Sequence, residues 1–506
     1  MNIVWFKRDL RVEDHEALTQ ALEYGPVLPV YILEPELWRQ SDMSYRHYMF
    51  LQESIIELDQ ALSELGQPLI IKTGEAIDVL EDLHQRHTIK TLWSHQETWN
   101  NWTYKRDKAV KQWCSKHGIQ WHEPAQNGVI RRLTNRDGWA ARWYHQMKQP
   151  ILKAPAQLRP IQEKPGTLPE TTELGLEKDM MIDRQKGGRI QGLKLLNSFL
   201  YERGENYTRQ MSSPVTAFDS CSRLSAHLAF GTLSMREVFQ ACEIRNQEIR
   251  QMPPGTKGKW PSAVRSFGGR LRWHCHFIQK LEDEPRIEFE NMHSAYDGLR
   301  ENDFDENYFE AWKNGMTGYP LVDACMRALT ATGWLNFRMR AMVMSFATYH
   351  LWLHWRKPAL HLAKLFTDYE PGIHYSQVQM QSGTTGINAI RIYNPVKQSF
   401  DQDPNGVFIR RWIPELRDVD QAFIHTPWQA VLTKNNYPMP IVDEKQARKA
   451  AADKLYSLRK DNTAHRKKAT KIADKHGSRK SGLRKSGNKK RIKDRVKDTA
   501  QGDLFT

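Results

Sequence analysis

The chain has 506 residues with 74 Lys/Arg and 59 Asp/Glu, which gives a formal net charge of +15. Its five cysteines never form a C-x-x-C pair, so a zinc or iron–sulfur site is not expected and the thiols should be reduced. No apolar run approaches the length of a membrane span, and the N-terminus lacks the pattern of a secretory signal. We therefore expect a soluble, cytoplasmic, monomeric protein without a metal site.

The first 130 residues alternate short apolar runs with amphipathic stretches. Four of the stretches repeat apolar residues at helical spacing, and the runs between them read as strands. Such alternation predicts a doubly wound parallel sheet of the α/β class. The first strand is followed by KRDLRVED rather than G-x-G-x-x-G, which argues against an NAD-type dinucleotide site. The predicted strands are NIVWF (2–6), VLPVYIL (27–33), PLIIKT (68–73), TLWSH (91–95) and IQWHE (119–123).

Residues 131–190 are rich in proline and predict a connector between two domains. Helical periodicity then dominates residues 191–443, which predicts a large all-α domain. Within it RMRAMVMSFATYHLWLHW (338–355) is apolar nearly all round, as expected of a buried helix. The segment 368–395 has few apolar residues on any period, and we interpret it as a polar loop.

Almost all of the net charge lies in the last 63 residues. Residues 444–506 hold 21 Lys/Arg and 7 Asp/Glu, whereas the rest of the chain holds 53 and 52. EKQARKAAADKLYSLRK (444–460) predicts a helix, and the remainder predicts a disordered basic tail because it has few apolar anchors. The attraction for polyanions such as DNA is therefore expected in this tail.

Four motifs in register resemble the photolyase/cryptochrome family over residues 1–440. They are IVWFKRDLRVEDHEAL (3–18), SCSRLSAHLAFGTLS (220–234), AWKNGMTGYPLVDACMRALTATGW (311–334) and RIYNPVKQSFDQDPNGVFIRRWIPEL (391–416). The resemblance implies an α/β domain followed by a helical domain that binds FAD. Members of the family repair pyrimidine photoproducts in DNA with light or act as light sensors. This chain resembles an atypical member without iron–sulfur cysteines.

The SCSRLS segment offers hydroxyls, backbone N–H groups and one arginine just before a helical stretch, which suits a pyrophosphate. An ordinary N-capped helix has the same pattern. The resemblance favours FAD over a simple helix cap, and it also implies an Arg338–Asp368 pair beside the flavin. A buried structural ion pair is the alternative interpretation of these two residues, and both interpretations can hold together. The expected FAD-binding residues are Tyr207, Cys221, Ser222, Arg223, Leu224, Ser225, Arg338, Asp368, Glu370 and His374.

The residues that would meet a DNA lesion depart from the family pattern. Arg270 stands where photolyases that repair cyclobutane dimers carry a glutamate, while Trp273 matches the aromatic that stacks on a flipped base. Phe337 replaces an asparagine, and neither it nor Asn336 provides the His–His pair of 6-4 photolyases. The expected DNA-contacting residues are Arg270, Trp273, His274, Phe337 and Met380.

The 368–380 segment departs further. The resemblance places His374 at flavin N5, where photolyases have asparagine, although a loop histidine bonded to a nearby carbonyl is the simpler alternative. Val378 replaces the first tryptophan of the electron-transfer chain, and Trp355 matches the middle one. We expect His374, Trp355 and Trp273 to carry the chemistry, with Trp334, Trp352 or Tyr375 as candidates to replace the missing relay.

The tail ends in QGDLFT, which resembles the pentapeptide that binds the bacterial sliding clamp. Leu504 and Phe505 would enter an apolar pocket, with Gln501 and Asp503 setting the register. A chance terminal string remains the alternative. The sequence does not identify an antenna, so a second chromophore (a folate or a deazaflavin) stays open.

Three functions fit this sequence, the third of which is a flavin-containing nucleic-acid-binding protein with little photochemistry. The first is a light-driven DNA repair enzyme that uses reduced FAD, acts near the nucleoid and binds damaged DNA. The second is a cryptochrome-like photoreceptor that keeps FAD but has lost repair. The basic tail favours the enzyme, and the altered lesion contacts favour the photoreceptor.

Overall fold

Five parallel strands form the sheet of the N-terminal domain in the computed structural model, which describes residues 1–179, 181–430, 436–460, 462–478 and 481–483. The strand order is β3-β2-β1-β4-β5, with Asn2 of β1 paired to Val27 of β2 and to Thr91 of β4. β1 and β2 are buried along their whole lengths, which explains why both read as continuous apolar runs. The strands are β1 Asn2–Phe6, β2 Val27–Leu33, β3 Ile70–Thr73, β4 Thr91–Trp93 and β5 Gln120–His122. All five predicted strands are present.

Helices cover both faces of this sheet. Four of the helices lie at the four stretches with helical spacing, and the short helix Pro35–Trp38 was not predicted, so the doubly wound α/β fold is confirmed. The helices of this domain are α1 Glu16–Glu23, α2 Pro35–Trp38, α3 Tyr45–Glu64, α4 Ala76–His87 and α5 Asn101–Lys116.

The predicted connector contains one helix, α6 Trp139–Met147. Trp139 and Trp143 of α6 are fully buried against the helical domain, where the ring of Trp143 meets that of Phe239 at 5.2 Å. The proline-rich remainder packs on the α/β domain through Leu158 and Leu174. The connector therefore links the two domains covalently and also packs against both of them.

The following domain is helical throughout, as expected. Its helices are α7 Arg189–Ser198, α8 Tyr207–Gln210, α9 Ala217–Ser220, α10 Ser225–Ala229, α11 Met235–Gln251, α12 Trp260–Asp283, α13 Glu306–Lys313, α14 Pro320–Thr332, α15 Phe337–Ser345, α16 Arg356–Leu365, α17 Pro371–Ser382, α18 Pro395–Gln402 and α19 Val407–Trp412. The predicted buried helix is α15, extended by a π-turn over Phe346–His350. Its side chains and the fully buried Trp312 and Trp355 form the largest apolar core.

The interpretation of 368–395 as a loop was wrong, because its first half is helix α17. Pro371 occupies the first turn and Gly383 ends the helix with a φ of 76°. The helix is buried although it is polar. Its Gln379 amide donates to the carbonyls of Ile287 (2.9 Å) and Glu290 (2.7 Å). Hydrogen bonds to neighbouring segments thus replace the apolar stripe that would have revealed a helix.

The expectation of a disordered tail was also wrong for part of its length. The predicted helix is present as α20 Glu444–Arg459, and a second helix that we did not predict follows as α21 Thr463–His476. α21 packs on the helical domain with His465, Ile472 and His476 buried. The proposed clamp motif, Gln501–Phe505, lies outside the described residues and stays a prediction. Within the part of the chain that the structure describes, no helix is long and apolar enough to cross a bilayer.

Candidate cofactor and substrate site

Asp368 joins three elements of the helical domain at one carboxylate. Its Oδ2 accepts from Ser225 Oγ at the start of α10 (2.5 Å) and from Arg340 Nη2 on α15 (2.7 Å). Burial opposes ionisation of this group, but Arg340 and Ser225 overcome it and hold the pKa of Asp368 below its usual value. Asp368 is therefore ionised at neutral pH and fixes the SCSRLS segment against α15.

The predicted pair of Arg338 with Asp368 is wrong, because the partner of Asp368 is Arg340. The Nη1 of Arg338 lies 3.4 Å from Gln398 on α18 instead. Residues two apart on a helix project about 200° from each other, so only one of these arginines can face Asp368. The sequence motif RMRAM offered both, and the rotation of α15 selects the second.

A guanidinium that we did not predict holds the SCSRLS backbone in place. Arg203 donates to the carbonyls of Asp219 (2.8 Å) and Ser222 (2.8 Å), and also to the carbonyl of Cys221. No local motif marks Arg203 in the sequence, because its partners lie 16 to 19 residues away.

Arg223 adopts a backbone conformation that is uncommon for a residue with a side chain, with φ of 60°. Its guanidinium lies between the rings of Phe218 (4.1 Å) and Trp334 (4.2 Å). Such stacking holds an arginine in place while leaving its in-plane N–H donors available. Burial lowers the pKa of Arg223 to about 10, so it still carries its charge at pH 7.

Several buried polar atoms around this segment have no hydrogen-bond partner among the described residues. Such atoms are rare in folded proteins and point to a ligand. Donors and acceptors are both present, as a dinucleotide with phosphates and heterocycles requires. They are Arg223 Nε and Nη1, His274 Nδ1, Asn336 Oδ1, Arg338 Nε, Asp368 Oδ1 and Glu370 Oε1. The residues present therefore fit FAD.

His374 and Glu370 lie at the start of α17. His374 Nε2 donates to the carbonyl of Ala359 (2.9 Å). The histidine is therefore bonded to a nearby carbonyl, which is the alternative to a role at the flavin that the sequence left open. Burial lowers the pKa of His374 to about 4, and burial raises the pKa of Glu370 to about 8. Both groups are thus uncharged at neutral pH. The role of His374 at flavin N5 stays a prediction.

Aromatic rings continue from His374 towards Trp355. The ring of Tyr375 lies 5.3 Å from that of His374 and 6.3 Å from that of Trp355, which is fully buried. By contrast, Trp334 stacks on Arg223, and Trp352 lies beside Arg300 and Lys454. Of the three candidates to replace the missing relay tryptophan, Tyr375 is the one in ring contact with Trp355.

Three of the expected DNA-contacting residues, Arg270, Trp273 and His274, lie on α12. Trp273 is partly exposed and its ring lies 5.6 Å from that of Phe277. One turn earlier, Arg270 points to Met211, with Nη2 at 3.9 Å from Sδ. Burial raises the pKa of Tyr207 to about 12, and the neighbouring Arg270 guanidinium opposes that rise. Arg270, which we expect on the lesion side, thus also contacts an expected FAD residue.

The remaining members of this group lie on three helices. Phe337 opens α15 and is 38% exposed, and the preceding Asn336 donates to the carbonyls of Met211 (3.0 Å) and Ser212 (2.8 Å). Met211 therefore brings the start of α15 next to Arg270. Burial lowers the pKa of His274 to about 4, and Met380 on α17 is partly buried. The contacts with DNA stay a prediction.

One buried group has the composition of a metal site. Asp9 Oδ2 lies 2.7 Å from His95 Nδ1 and 3.0 Å from His15 Nε2, just past the strands β1 and β4. However, the Nδ1 of His15 accepts the N–H of Leu18 (3.0 Å), so its Nε2 keeps the proton and donates to Asp9. A metal ligand must offer a bare nitrogen. We interpret the group as a hydrogen-bond network that holds two strand ends together.

The carboxyl edge of the sheet, where doubly wound folds bind ligands, holds a buried ion network. Lys7 and Arg106 contact the carboxylates of Glu34, Glu97 and Asp107 at 2.5 to 3.9 Å. The side chains of all five are at most 13% exposed. An antenna at this edge would have to displace these contacts.

Comparison with known proteins agrees with this geometry. A family model described as DNA photolyase matches residues 2–165, and one described as the FAD binding domain of DNA photolyase matches residues 267–457. Cryptochrome-2 of Arabidopsis thaliana is 31% identical over 493 residues, covering 90% of this chain and 79% of that protein. Deoxyribodipyrimidine photo-lyase of Vibrio cholerae is 29% identical, covering 91% of this chain and 100% of that protein.

Solved structures show the same architecture. A bacterial class III photolyase from Agrobacterium tumefaciens superposes with a TM-score of 0.77 at 26% identity, covering 91% of this chain and 98% of that one. An archaeal photolyase from Sulfolobus tokodaii with two FAD molecules gives a TM-score of 0.74 at 26% identity, covering 90% and 100%. The fold and the site define an FAD-binding protein with an α/β domain and a helical domain. The chain belongs to the photolyase/cryptochrome family.

Proposed function

We propose that this protein is a light-dependent FAD flavoprotein that binds damaged DNA and repairs pyrimidine photoproducts. The observation that carries the proposal is the position of Arg270 and Trp273 one turn apart on α12. Arg270 reaches Tyr207 of the expected FAD site, and Trp273 remains partly exposed. A flat aromatic side chain open to solvent beside a cofactor site suits a base flipped out of the duplex.

Bound FAD would supply the electron that splits the lesion. The chain's own residues hold and orient the reactants. Arg223 and the Ser225–Asp368–Arg340 group would hold the cofactor by charge-assisted hydrogen bonds. The neutral His374 and Glu370 keep the site free of further net charge. Trp273 and Phe337 would exclude water from a bound base by stacking and apolar contact.

The second candidate is a cryptochrome-like photoreceptor that keeps FAD and lacks repair. Arg270 favours this candidate. A guanidinium can only donate hydrogen bonds, whereas dimer-repairing photolyases have a carboxylate, which accepts them, at this position. An arginine that contacts Tyr207 and Met211 leaves the imide N–H of a flipped thymine without an acceptor at this position. The two candidates share the fold and FAD and differ in whether illumination restores a lesion.

Illumination of the reduced protein with DNA that carries one defined lesion tests the proposal. We expect restored pyrimidines from either cyclobutane or 6-4 photoproducts, measured by chromatography of the digested DNA. Trp273→Ala should lower the restored fraction at least about fivefold at subsaturating protein, since stacking on a base contributes about 1–3 kcal/mol. Trp121→Ala, a partly buried tryptophan of the α/β domain, is the matched control. Repair of neither lesion by the wild type would rule out the enzyme and favour the photoreceptor.

The second chromophore stays open in this proposal. The two FAD molecules in the archaeal relative support the idea that a member of the family can hold another chromophore. The ion network of Lys7 and Arg106 argues against a chromophore site at the carboxyl edge of the sheet in this chain. Extraction of the purified protein and absorbance spectroscopy of the released chromophores give the FAD stoichiometry and reveal any second species.

A further inference from the structure

The C-terminal helices α20 and α21 are fixed on the helical domain. α20 buries Ala451 and Leu455 in a cluster with Tyr296 and Tyr349. α21 buries Ile472 in a cluster with Leu281, Ile287 and Met292. These contacts give the charged groups on the outer faces of both helices a defined position, which a flexible tether would not.

One exposed side of α21 carries a row of lysines. Lys467, Lys471 and Lys475 are exposed and four residues apart, so they repeat on one side of the helix about every 6 Å. The buried His465, Ile472 and His476 lie on another side of the helix, centred about 120° from the row. Lys475 is paired with Glu284 at 2.9 Å.

This extension holds the excess positive charge of the described protein. Residues 444–478 contain 11 Lys/Arg and 4 Asp/Glu, whereas residues 1–443 contain 53 and 52. Basic side chains of α20, including Lys445 and Lys449, are also exposed. A concentration of one sign of charge on one surface attracts a polyanion over several ångströms.

The basic extension also lies next to the expected lesion site. The ring of Trp273 is 5.2 Å from that of His276, whose Nδ1 is 3.2 Å from Arg136 Nη1. Arg136 lines a surface cavity of about 320 Å³, and so do Lys471 and Lys475 of α21. Two side chains, His276 and Arg136, therefore separate Trp273 from the cavity that α21 borders.

We propose that the outer face of α20 and α21 binds the phosphate backbone of the duplex that flanks the lesion. This inference rests on the proposed function, because it takes DNA as the substrate. The 14 residues of α21 span about 21 Å, the length of roughly six base pairs. Asp137, Asp283 and Asp474 line the cavity together with Arg136 and two lysines of the row, so we expect the contact along the exposed row and not inside the cavity.

The salt dependence of DNA binding tests this inference in the full-length protein. Lys467→Glu/Lys471→Glu removes two positive charges from the row and adds two negative ones. Lys111→Glu/Lys116→Glu makes the same change on the exposed side of α5, in the α/β domain. Affinity for a short duplex with one central lesion would be measured by fluorescence anisotropy over a series of salt concentrations.

We expect the row variant to lower the slope of log K against log salt by about 2, because each phosphate contact contributes about 0.9. Its affinity at low salt should fall at least tenfold, while the α5 variant should match the wild type. Equal slopes and affinities for the two variants would overturn the inference. Lys467→Ala/Lys471→Ala, which adds no negative charge, should give the same slope change if the reversal variant does not fold.

Repair under saturating DNA separates this inference from the proposed function. A wild-type protein that repairs no lesion but binds DNA with a slope that depends on Lys467 and Lys471 would refute the proposed function alone. A protein that repairs lesions with a slope unaffected by the row would refute this inference alone. A wild-type protein that binds no DNA would overturn both.

Discussion

Asp368→Asn should release FAD from the protein and destabilise the helical domain. The change removes the negative charge that faces Arg340 at 2.7 Å inside the protein. Removing one partner of a fully buried ion pair typically costs about 3–5 kcal/mol, and we expect the lower end of that range here because the Arg340 side chain is 26% exposed. We expect at least a tenfold loss of FAD affinity and a lower midpoint of thermal unfolding. Flavin absorbance after gel filtration and a fluorescence titration of the apoprotein with FAD measure the first effect.

Asp183→Asn provides a matched control for this substitution. Asp183 pairs with Arg411 at 3.7 Å, and both side chains are more than half exposed. Exposed ion pairs contribute about 0–1 kcal/mol, so the control should keep its FAD and its unfolding midpoint. An Asp368→Asn protein that holds FAD as tightly as the wild type would show that Asp368 has no role in the site. Arg340→Gln combined with Asp368→Asn should cost less than the sum of the two single changes, because both remove the same interaction.

The fold was predictable where apolar residues alone decide the structure. The strands β1 and β2 are buried on both faces, so their sequences NIVWF and VLPVYIL predict strands without any knowledge of their neighbours. In α17 and α21, by contrast, buried polar side chains are satisfied by distant segments, as Gln379 is by Ile287 and Glu290. Such partners are separated by about 90 residues in the chain and leave no periodic signal.

The site was predictable to the level of its motifs and not to the level of its geometry. SCSRLS and Asp368 indicated where the cofactor site would form, and the structure places Ser225 in contact with Asp368. The rotation of α15, which brings Arg340 rather than Arg338 to Asp368, depends on how that helix packs. The positive φ of Arg223 likewise depends on tertiary contacts. It could not be predicted from the sequence, because residues other than glycine rarely adopt this conformation.

Acid should release α21 from the protein. His293 and His465 stack at this interface with ring centroids 4.2 Å apart. Nδ1 of His293 accepts the N–H of Ala295, and Nε2 of His465 lies 3.2 Å from the hydroxyl of Tyr296. Arg459 donates to that hydroxyl, which leaves it to donate to His465. Each ring therefore accepts one hydrogen bond. Protonation of the accepting nitrogen of either ring would break that bond and bring two hydrogen-bond donors face to face.

The electrostatic surroundings act in the same direction. Burial lowers the pKa of both His293 and His465, and the cationic Arg459 lowers both further. Lys468 adds to the effect on His293. At the other end of α21, burial lowers the pKa of His476 to about 4, with Lys280 and Arg136 contributing and Glu284 opposing. Burial alone would raise the pKa of Glu284, but its bonds to His476 and Lys475 lower it to about 2, so it remains ionised throughout.

The sign of the pH dependence follows from these shifts. A histidine whose pKa is lower in the folded protein than its ordinary value near 6.5 stabilises the fold above that value. That contribution is lost as the pH falls through the folded pKa, which for His476 is about 4. Docking of α21 should therefore be complete above about pH 6.5 and weaken progressively below it. The lysine row on α21 would then no longer be held at the cavity that Arg136 lines.

Hydrogen exchange of the α21 amides measures this release. We expect their protection to fall at least tenfold between neutral pH and pH ~5, after correction for intrinsic rates, which corresponds to about one unit of pKa shift. Amides of α14, in the largest apolar core, should keep their protection and show that the global fold is intact. His465→Phe, which keeps a ring for stacking but cannot titrate, should reduce the pH response, while the exposed His145→Phe should not. Unchanged α21 protection across this range would mean that the stacked histidines do not control its docking.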